Sequence, residues 1–278
     1  MKAINKIYTA LILAILYAPI LVLVLFSFNS TSNTGVFTGF SLYWYKELFR
    51  SAAAFTALKN TLILAVSSAC LATLIGTMAA VGLRKMRNKY VKGLINSVTN
   101  IPMMNPDIVT GISMMLLFVF VGTMLGQQDK LNFWTLLIAH VTFNIPYVIL
   151  NVTPKFQQMD KHLPEAALDL GCTPLQAFFK VELPCIFSGI VTGFIMAFTL
   201  SLDDFVISYF CSGSDFQTLP ILIYSMTKKE VTPDIYALST LIIVAIMTLL
   251  ILSNLSGNKE ERRQIRAIRK KRSAKRGA

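Results

Sequence analysis

No Gly-x4-Gly-Lys-Ser/Thr phosphate loop occurs in this chain, so it lacks the motif with which a protein cradles and hydrolyses ATP itself. Histidine is scarce: His140 lies inside an apolar run and His162 in a polar loop, and no arrangement for nucleophilic catalysis accompanies them. His162 and Glu165 have a metal-ligand spacing, but two ligands do not make a site. The four cysteines (Cys70, Cys172, Cys185, Cys211) form no Cys-x-x-Cys pair, which argues against a metal or disulfide framework. Charge is short as well, at 14% of 278 residues beside 54% hydrophobic, where soluble domains carry about 25% and about 45–50%. These absences exclude an ordinary soluble enzyme and leave lipid as the solvent.

Six apolar runs are long enough to cross a hydrocarbon core, which takes about 20 helical residues. They lie near Ile7 to Phe28, Leu58 to Leu83, Leu94 to Gly122, Phe133 to Thr153, Ile186 to Cys211 and Ile235 to Ser256. The expected fold is therefore all-α and polytopic, with one membrane domain over residues 1–256, a cytoplasmic loop at 154–185 and a basic tail at 257–278. The first run follows Lys2 and Lys6 as a signal peptide would, but its apolar part is longer than a signal core. No small-x-small site closes it before Asn29, so it is read as retained.

Basic residues near span ends stay cytoplasmic. With the N-terminus inside, the inner segments hold 20 of the 26 Lys and Arg, ten of them between Lys259 and Arg276. Both termini are accordingly expected in the cytoplasm. The net charge of +12 does not imply nucleic acid, because the cluster around Arg262, Arg266 and Arg269 directly follows a span and suits an anionic inner leaflet.

Between the fourth and fifth runs stands Glu165-Ala166-Ala167, then Gly171, then Leu183-Pro184. Pro164 and Glu165 suit a helix first turn, and Gly171 supplies the left-handed stop that ends it. Thr173-Pro174 starts a second short helix, which Pro184 is expected to end. Leu168, Leu170, Leu175, Phe178 and Phe179 form an apolar side that needs a partner or the membrane surface; an interfacial loop without a partner is the other reading.

Apart from Lys59 at the outer end of the second run, the runs carry no Lys or Arg, yet they hold Asp107, Asp203 and Asp204. A carboxylate at mid-span costs about 2.5–3.5 kcal/mol on insertion scales and normally faces a partner, cavity or pathway. The asymmetry points to a cationic cargo. Asp107 ends Pro102-Met103-Met104-Asn105-Pro106-Asp107, where two prolines break the helix; it either lines a path or caps the restarted helix. Asp203 and Asp204, adjacent on one helix, point about 100° apart, so at most one faces a pore squarely. Ser201 and Tyr209 add a hydroxyl and a ring, groups that suit a diammonium or triammonium ligand. Trp44, between Tyr43 and Tyr45 after the first run, is either interfacial belt or cargo-facing. Gly189 and Gly193, four apart, predict close helix packing.

Along its whole length the chain resembles the PotC-type permease subunits of spermidine/putrescine ABC importers. The resemblance rests on Trp44-Tyr45, Asn105-Pro106-Asp107-Ile108-Val109, Glu165-Ala166-Ala167-Leu168-Asp169-Leu170-Gly171, Ser201-Leu202-Asp203-Asp204, and Leu219-Pro220 with Ile223-Tyr224-Ser225-Met226. It implies a MetI-like permease fold of six spans in a bacterial inner membrane. It also implies a homologous second permease subunit, two ATPase subunits that hold the ATP, and an extracytoplasmic polyamine-binding protein. No cofactor is expected on this chain. In that family positions matching Trp44, Asp107, Glu165, Ser201, Asp203 and Asp204 are linked to transport, and Ala166, Ala167, Gly171, Leu183 and Pro184 belong to the ATPase-coupling motif. The long basic tail and Asn105 depart from the pattern. Rival readings are an ABC permease for another cationic or small organic cargo, a secondary transporter or channel, and a membrane scaffold.

Overall fold

The computed structural model describes residues 2–31, 36–127, 130–160, 162–228, 233–248 and 251. They are nearly all helical. Among them no strand forms, and an antiparallel bridge joins Asn29 and Phe40. The helices are α1 (Lys2–Phe26), α2 (Tyr43–Arg50), α3 (Ala52–Lys85), α4 (Lys89–Met104), α5 (Asp107–Met124), α6 (Phe133–Gln158), α7 (Leu163–Asp169), α8 (Pro174–Ala177), α9 (Leu183–Asp203), α10 (Val206–Cys211), α11 (Leu219–Thr227) and α12 (Pro233–Thr248). Five helical stretches are long and apolar enough to cross a membrane, and α12 is a shorter apolar helix.

The described residues divide into two compact units, those within 1–60 and 217–248, and those within 61–216. In the first unit, Leu48, Ala54, Ala57, Leu219 and Leu238 make the core, and Asn60 Nδ2 donates to the Gln217 carbonyl at 3.1 Å. The membrane-crossing window of α1 is apolar and has no buried residue. A helix that is apolar all round and unburied by its own chain is stable where lipid or another protein surrounds it.

The second unit is built around α6, whose inward face carries Leu136, Ala139, His140, Phe143, Val148 and Val152. Asn132 opens α6 with a capping box that Thr135 completes, satisfying donors that the first turn would otherwise strand. The α9 helix lies close against α6 because Gly189 and Gly193 lack side chains. A Cβ at Gly189 would stand 2.8 Å from the Asn151 carbonyl oxygen, and one at Gly193 would stand 3.3 Å from Val148 Cα. This is the close packing expected from the spacing.

Several boundaries differ from expectation. The run from Leu94 to Gly122 is not one helix: α4 ends at Met104 and α5 begins at Asp107. The break belongs to Pro106 alone. Asn105, ahead of it, is extended at φ −75 and ψ 140, as the proline ring requires of its neighbour, whereas Pro102 sits inside α4. The 18 residues of α5 extend about 27 Å, close to the thickness of a hydrocarbon core.

Pro184 does not end a helix either. Helix runs from Pro174 to Asp203, with a π-turn at Phe178–Glu182 and the Leu183 N–H bonded to the Phe178 carbonyl. A widened turn relieves the clash and missing donor that a proline brings to a regular helix. The fifth span thus grows directly out of the loop expected at 154–185. Part of the run expected at 235–256 and all of the basic tail at 257–278 lie outside the described residues.

Candidate functional site

The double aspartate sits where a helix stops. Asp203 is the last residue of α9, and Asp204 is already extended at φ −63 and ψ 122. The expectation that both lie on one helix is therefore corrected. The break has a local cause: the Asp204 carboxylate accepts the backbone N–H of Ser208 at 2.8 Å and of Ile207 at 3.4 Å. An aspartate side chain that takes these donors offers the backbone an alternative to continuing the helix. Asp203, one residue earlier, is exposed.

Behind the break lies a buried polar cluster drawn from α3, α6, α9 and α10. Ser201 Oγ lies 2.8 Å from Ser68 Oγ, 3.1 Å from His140 Nδ1, and accepts from Asn144 Nδ2 at 2.7 Å. The other His140 nitrogen is 3.1 Å from Ser208 Oγ and 3.5 Å from the Asp204 carboxylate. His140, Asn144 and Ser68 are fully buried, and buried polar groups need such partners to offset lost hydration. The cluster pins α9 and α10 to α6, so the position of the Asp203–Asp204 break is set by its neighbours.

Asp107 comes to the same region from another direction. It opens α5, and one turn later a Cβ at Gly111 would lie 3.5 Å from the Val206 carbonyl oxygen and 3.1 Å from the Phe210 ring. Close passage of α5 along α10 places the start of α5 beside the helix that follows the Asp204 break. Asp107 is exposed. Three carboxylates without a lysine or arginine among the groups just described suit a cation.

Trp44 belongs to the first unit. Its indole N–H donates to the Asn29 carbonyl at 2.9 Å, and its ring meets Tyr43 edge-on at 5.1 Å. The buried Asn29 side chain accepts from Thr38 N and Oγ1 at 2.9 and 3.0 Å and donates to the Val36 carbonyl at 2.9 Å. Tyr45 OH lies 2.8 Å from Ser27 Oγ. Both aromatic residues thus clasp the turn that follows α1.

The loop after α6 carries the Glu-Ala-Ala segment on α7. Gly171 ends that helix at φ +85, its N–H reaching the Leu168 carbonyl at 2.9 Å while Cys172 N–H reaches the Ala167 carbonyl at 3.0 Å. This paired pattern is a Schellman stop, which requires left-handed backbone. Thr173 and Gln176 then form a capping box on α8. Glu165 and Ala166 are exposed and Ala167 is buried. Leu168, Leu170, Leu175 and Phe179 stand 44%, 87%, 71% and 60% exposed, an apolar row of the kind that marks a contact surface.

One connection was not anticipated. Glu182, in the π-turn, lies 3.3 Å from the Arg84 guanidinium at the end of α3, and that guanidinium sits 5.0 Å above the Phe156 ring of α6. The ion pair and the ring contact tie the π-turn to α3 and α6. A carboxylate between Val181 and Leu183, and a histidine and asparagine four residues apart on α6, were the available signals for these contacts. Charge inside an apolar stretch calls for a partner, but distance along the chain hides which one.

Residues 72–264 match the family model for the binding-protein-dependent transport system inner membrane component. The chain is 42% identical over 232 residues to the putrescine transport system permease protein PotI of Escherichia coli (strain K12), covering 83% of this chain and 82% of that protein. It is 38% identical over 244 residues to the spermidine/putrescine transport system permease protein PotC of the same organism, covering 88% and 90%. Among solved structures it is similar in fold to a chain of a bacterial ABC transporter involved in the import of the acidic polysaccharide alginate, with a TM-score of 0.70 at 16% identity over 94% of this chain and 96% of that one. A chain of the inward-facing MetNI methionine ABC transporter matches with a TM-score of 0.60 at 15% identity, covering 75% and 98%. The chain belongs to the family of binding-protein-dependent transport system inner membrane components.

Proposed function

We propose that this permease carries polyamines, putrescine or spermidine, into a bacterial cell as one membrane subunit of an ATP-driven importer. Fold does not decide cargo, since an importer of an acidic polysaccharide shares the architecture. The reading is supported by Asp107 opening α5 and by Asp203 and Asp204 at the end of α9, two helix breaks linked through the close passage of α5 along α10, in a chain that is 42% and 38% identical to two polyamine permeases.

Asp203 and Asp107, both exposed, receive the ammonium groups of the passing cargo. Asp204 and Ser201 are positioning residues, since their oxygens already hold α10 and the His140 cluster. On the outer side, Trp44 offers a ring to an alkylammonium group. The partners are a homologous second permease subunit, two ATPase subunits and an extracytoplasmic polyamine-binding protein, assembled in the inner membrane. ATP is bound and hydrolysed on the ATPase subunits, and this chain carries no cofactor of its own. Closure of the ATPases presses on Glu165, Ala166 and the exposed apolar row of α7 and α8. The Schellman stop at Gly171 and the Arg84–Glu182 pair pass that movement to the spans, with Leu183 and Pro184 at the start of α9.

The test is uptake of labelled putrescine and spermidine in cells lacking their own importers, with this chain present or absent beside its neighbouring subunits. ATP-dependent uptake that requires this chain and falls in Asp203→Asn supports the proposal. An assembled, ATP-hydrolysing complex that takes up neither polyamine overturns it.

A further inference from the structure

At the basic, inner ends of α3, α4 and α6 lies a cavity of about 440 Å³, of whose lining the transport reading uses Arg84 alone. Arg84 and Lys92 line it with the uncharged hydrogen-bonding side chains of Asn96, Thr153 and Gln157, and Phe156 forms part of its wall. No carboxylate is among its lining residues. Arg84 Nη1 stands 3.3 Å from Glu182 Oε2 as an ion pair, both atoms falling short of hydrogen-bond geometry. Thr153 Oγ1 is buried without a hydrogen bond, and a buried hydroxyl without a partner is costly.

The lining suits an anion with several acceptor oxygens. Two cations beside amide and hydroxyl groups are the set that binds a phosphate. The Phe156 ring beneath the guanidinium holds its plane in place. The volume exceeds what one bare phosphate fills and falls within the range of ligand pockets. Its depth matters as well: Arg84 lies in the last turn of α3, Thr153 and Gln157 are near the end of α6, and Lys92 and Asn96 are in the first half of α4. By the basic-residue rule this level is the headgroup region of the inner leaflet. That leaflet is rich in anionic lipid, and basic pockets between spanning helices bind phospholipid heads there. The α4 helix has no buried residue and exposes Leu94, Val98 and Ile101, an apolar side along which acyl chains can lie.

We infer that this cavity is a binding site for the phosphodiester head of an anionic phospholipid, with Arg84 and Lys92 as its charged ligands. The inference depends on the membrane placement of the helices and not on the cargo, so either can fail alone. The experiment is native mass spectrometry of the purified complex in detergent, titrated separately with phosphatidylglycerol and phosphatidylcholine. Retention of phosphatidylglycerol over phosphatidylcholine is expected, weakened about fivefold by Lys92→Gln, in keeping with the contribution of one basic residue near an anionic leaflet. Arg84→Gln should weaken it too. Because that change also breaks the pair with Glu182, Lys92→Gln, which leaves the pair intact, is the deciding variant. Equal retention of the two lipids, or retention unchanged in Lys92→Gln, overturns the site. Displacement of phosphatidylglycerol by millimolar glycerol phosphate overturns the lipid assignment in favour of a soluble phosphate ester.

Discussion

Replacing Asp204 by alanine should damage the protein in a way that replacing Asp203 by asparagine does not, although the two residues are adjacent. The Asp204 carboxylate takes the Ser208 N–H at 2.8 Å, stands 3.5 Å from His140 Nε2, and reaches Ile207 N at 3.4 Å. Loss of a capping side chain costs about 0.5–2 kcal/mol. A buried donor left without its acceptor costs about 1–3 kcal/mol more. Because these groups share one network the costs do not simply add, and a loss of about 2–3 kcal/mol is expected. Asp204→Asn keeps an acceptor oxygen and should lose about 1 kcal/mol or less. Asp203 is exposed, so Asp203→Asn should lie within about 0.5 kcal/mol of the parent while uptake at limiting polyamine falls at least about tenfold, the equivalent of one charged hydrogen bond. The assay pairs unfolding of the purified complex in detergent with uptake by the same variants in cells. Equal destabilisation by Asp203→Asn and Asp204→Ala, or a fully stable Asp204→Ala, would refute the division into a cargo ligand and a positioning residue.

Two further outcomes follow from backbone geometry. Gly189→Ala should destabilise the complex by about 1–2 kcal/mol, because overpacking against the Asn151 carbonyl and Val152 Cα outweighs the gain in helix propensity of about 1 kcal/mol. Gly82→Ala, whose Cβ would meet nothing within 4 Å, should be neutral or stabilising, and detergent unfolding of both variants checks the contrast. Gly171→Val should uncouple transport from ATP hydrolysis, since a β-branched residue is strained at φ +85. Uptake measured against ATPase activity of the reconstituted complex reads the effect, and parental coupling in that variant would show that the Schellman stop is dispensable.

The helix-stop-helix loop was legible because its signals are local. Gly171 ends α7 and Thr173 starts α8, and each effect needs residues no more than about five positions away. Pro184 misled for the opposite reason: its usual power to end a helix was overridden by a π-turn within a helix packed along its length against α6. The break at Pro106 obeyed the local rule, while Pro102, four residues earlier, did not break α4.

By itself the sequence determined that this protein is built of apolar helices, several long enough to cross a membrane, that three carboxylates stand within its apolar runs and that a helix-stop-helix loop lies between two of them. Those properties follow from composition, run length and the conformational limits of glycine and proline, all of which act over a few residues. Only the tertiary structure decided that Asp204 is bound into a buried cluster while Asp203 faces outward, that Asp107 approaches them from α5, and that Arg84 joins Glu182. These pairings join residues tens of positions apart in the chain. They are selected by which helices pack together and by the cost of leaving a polar group unpaired where no water can reach it.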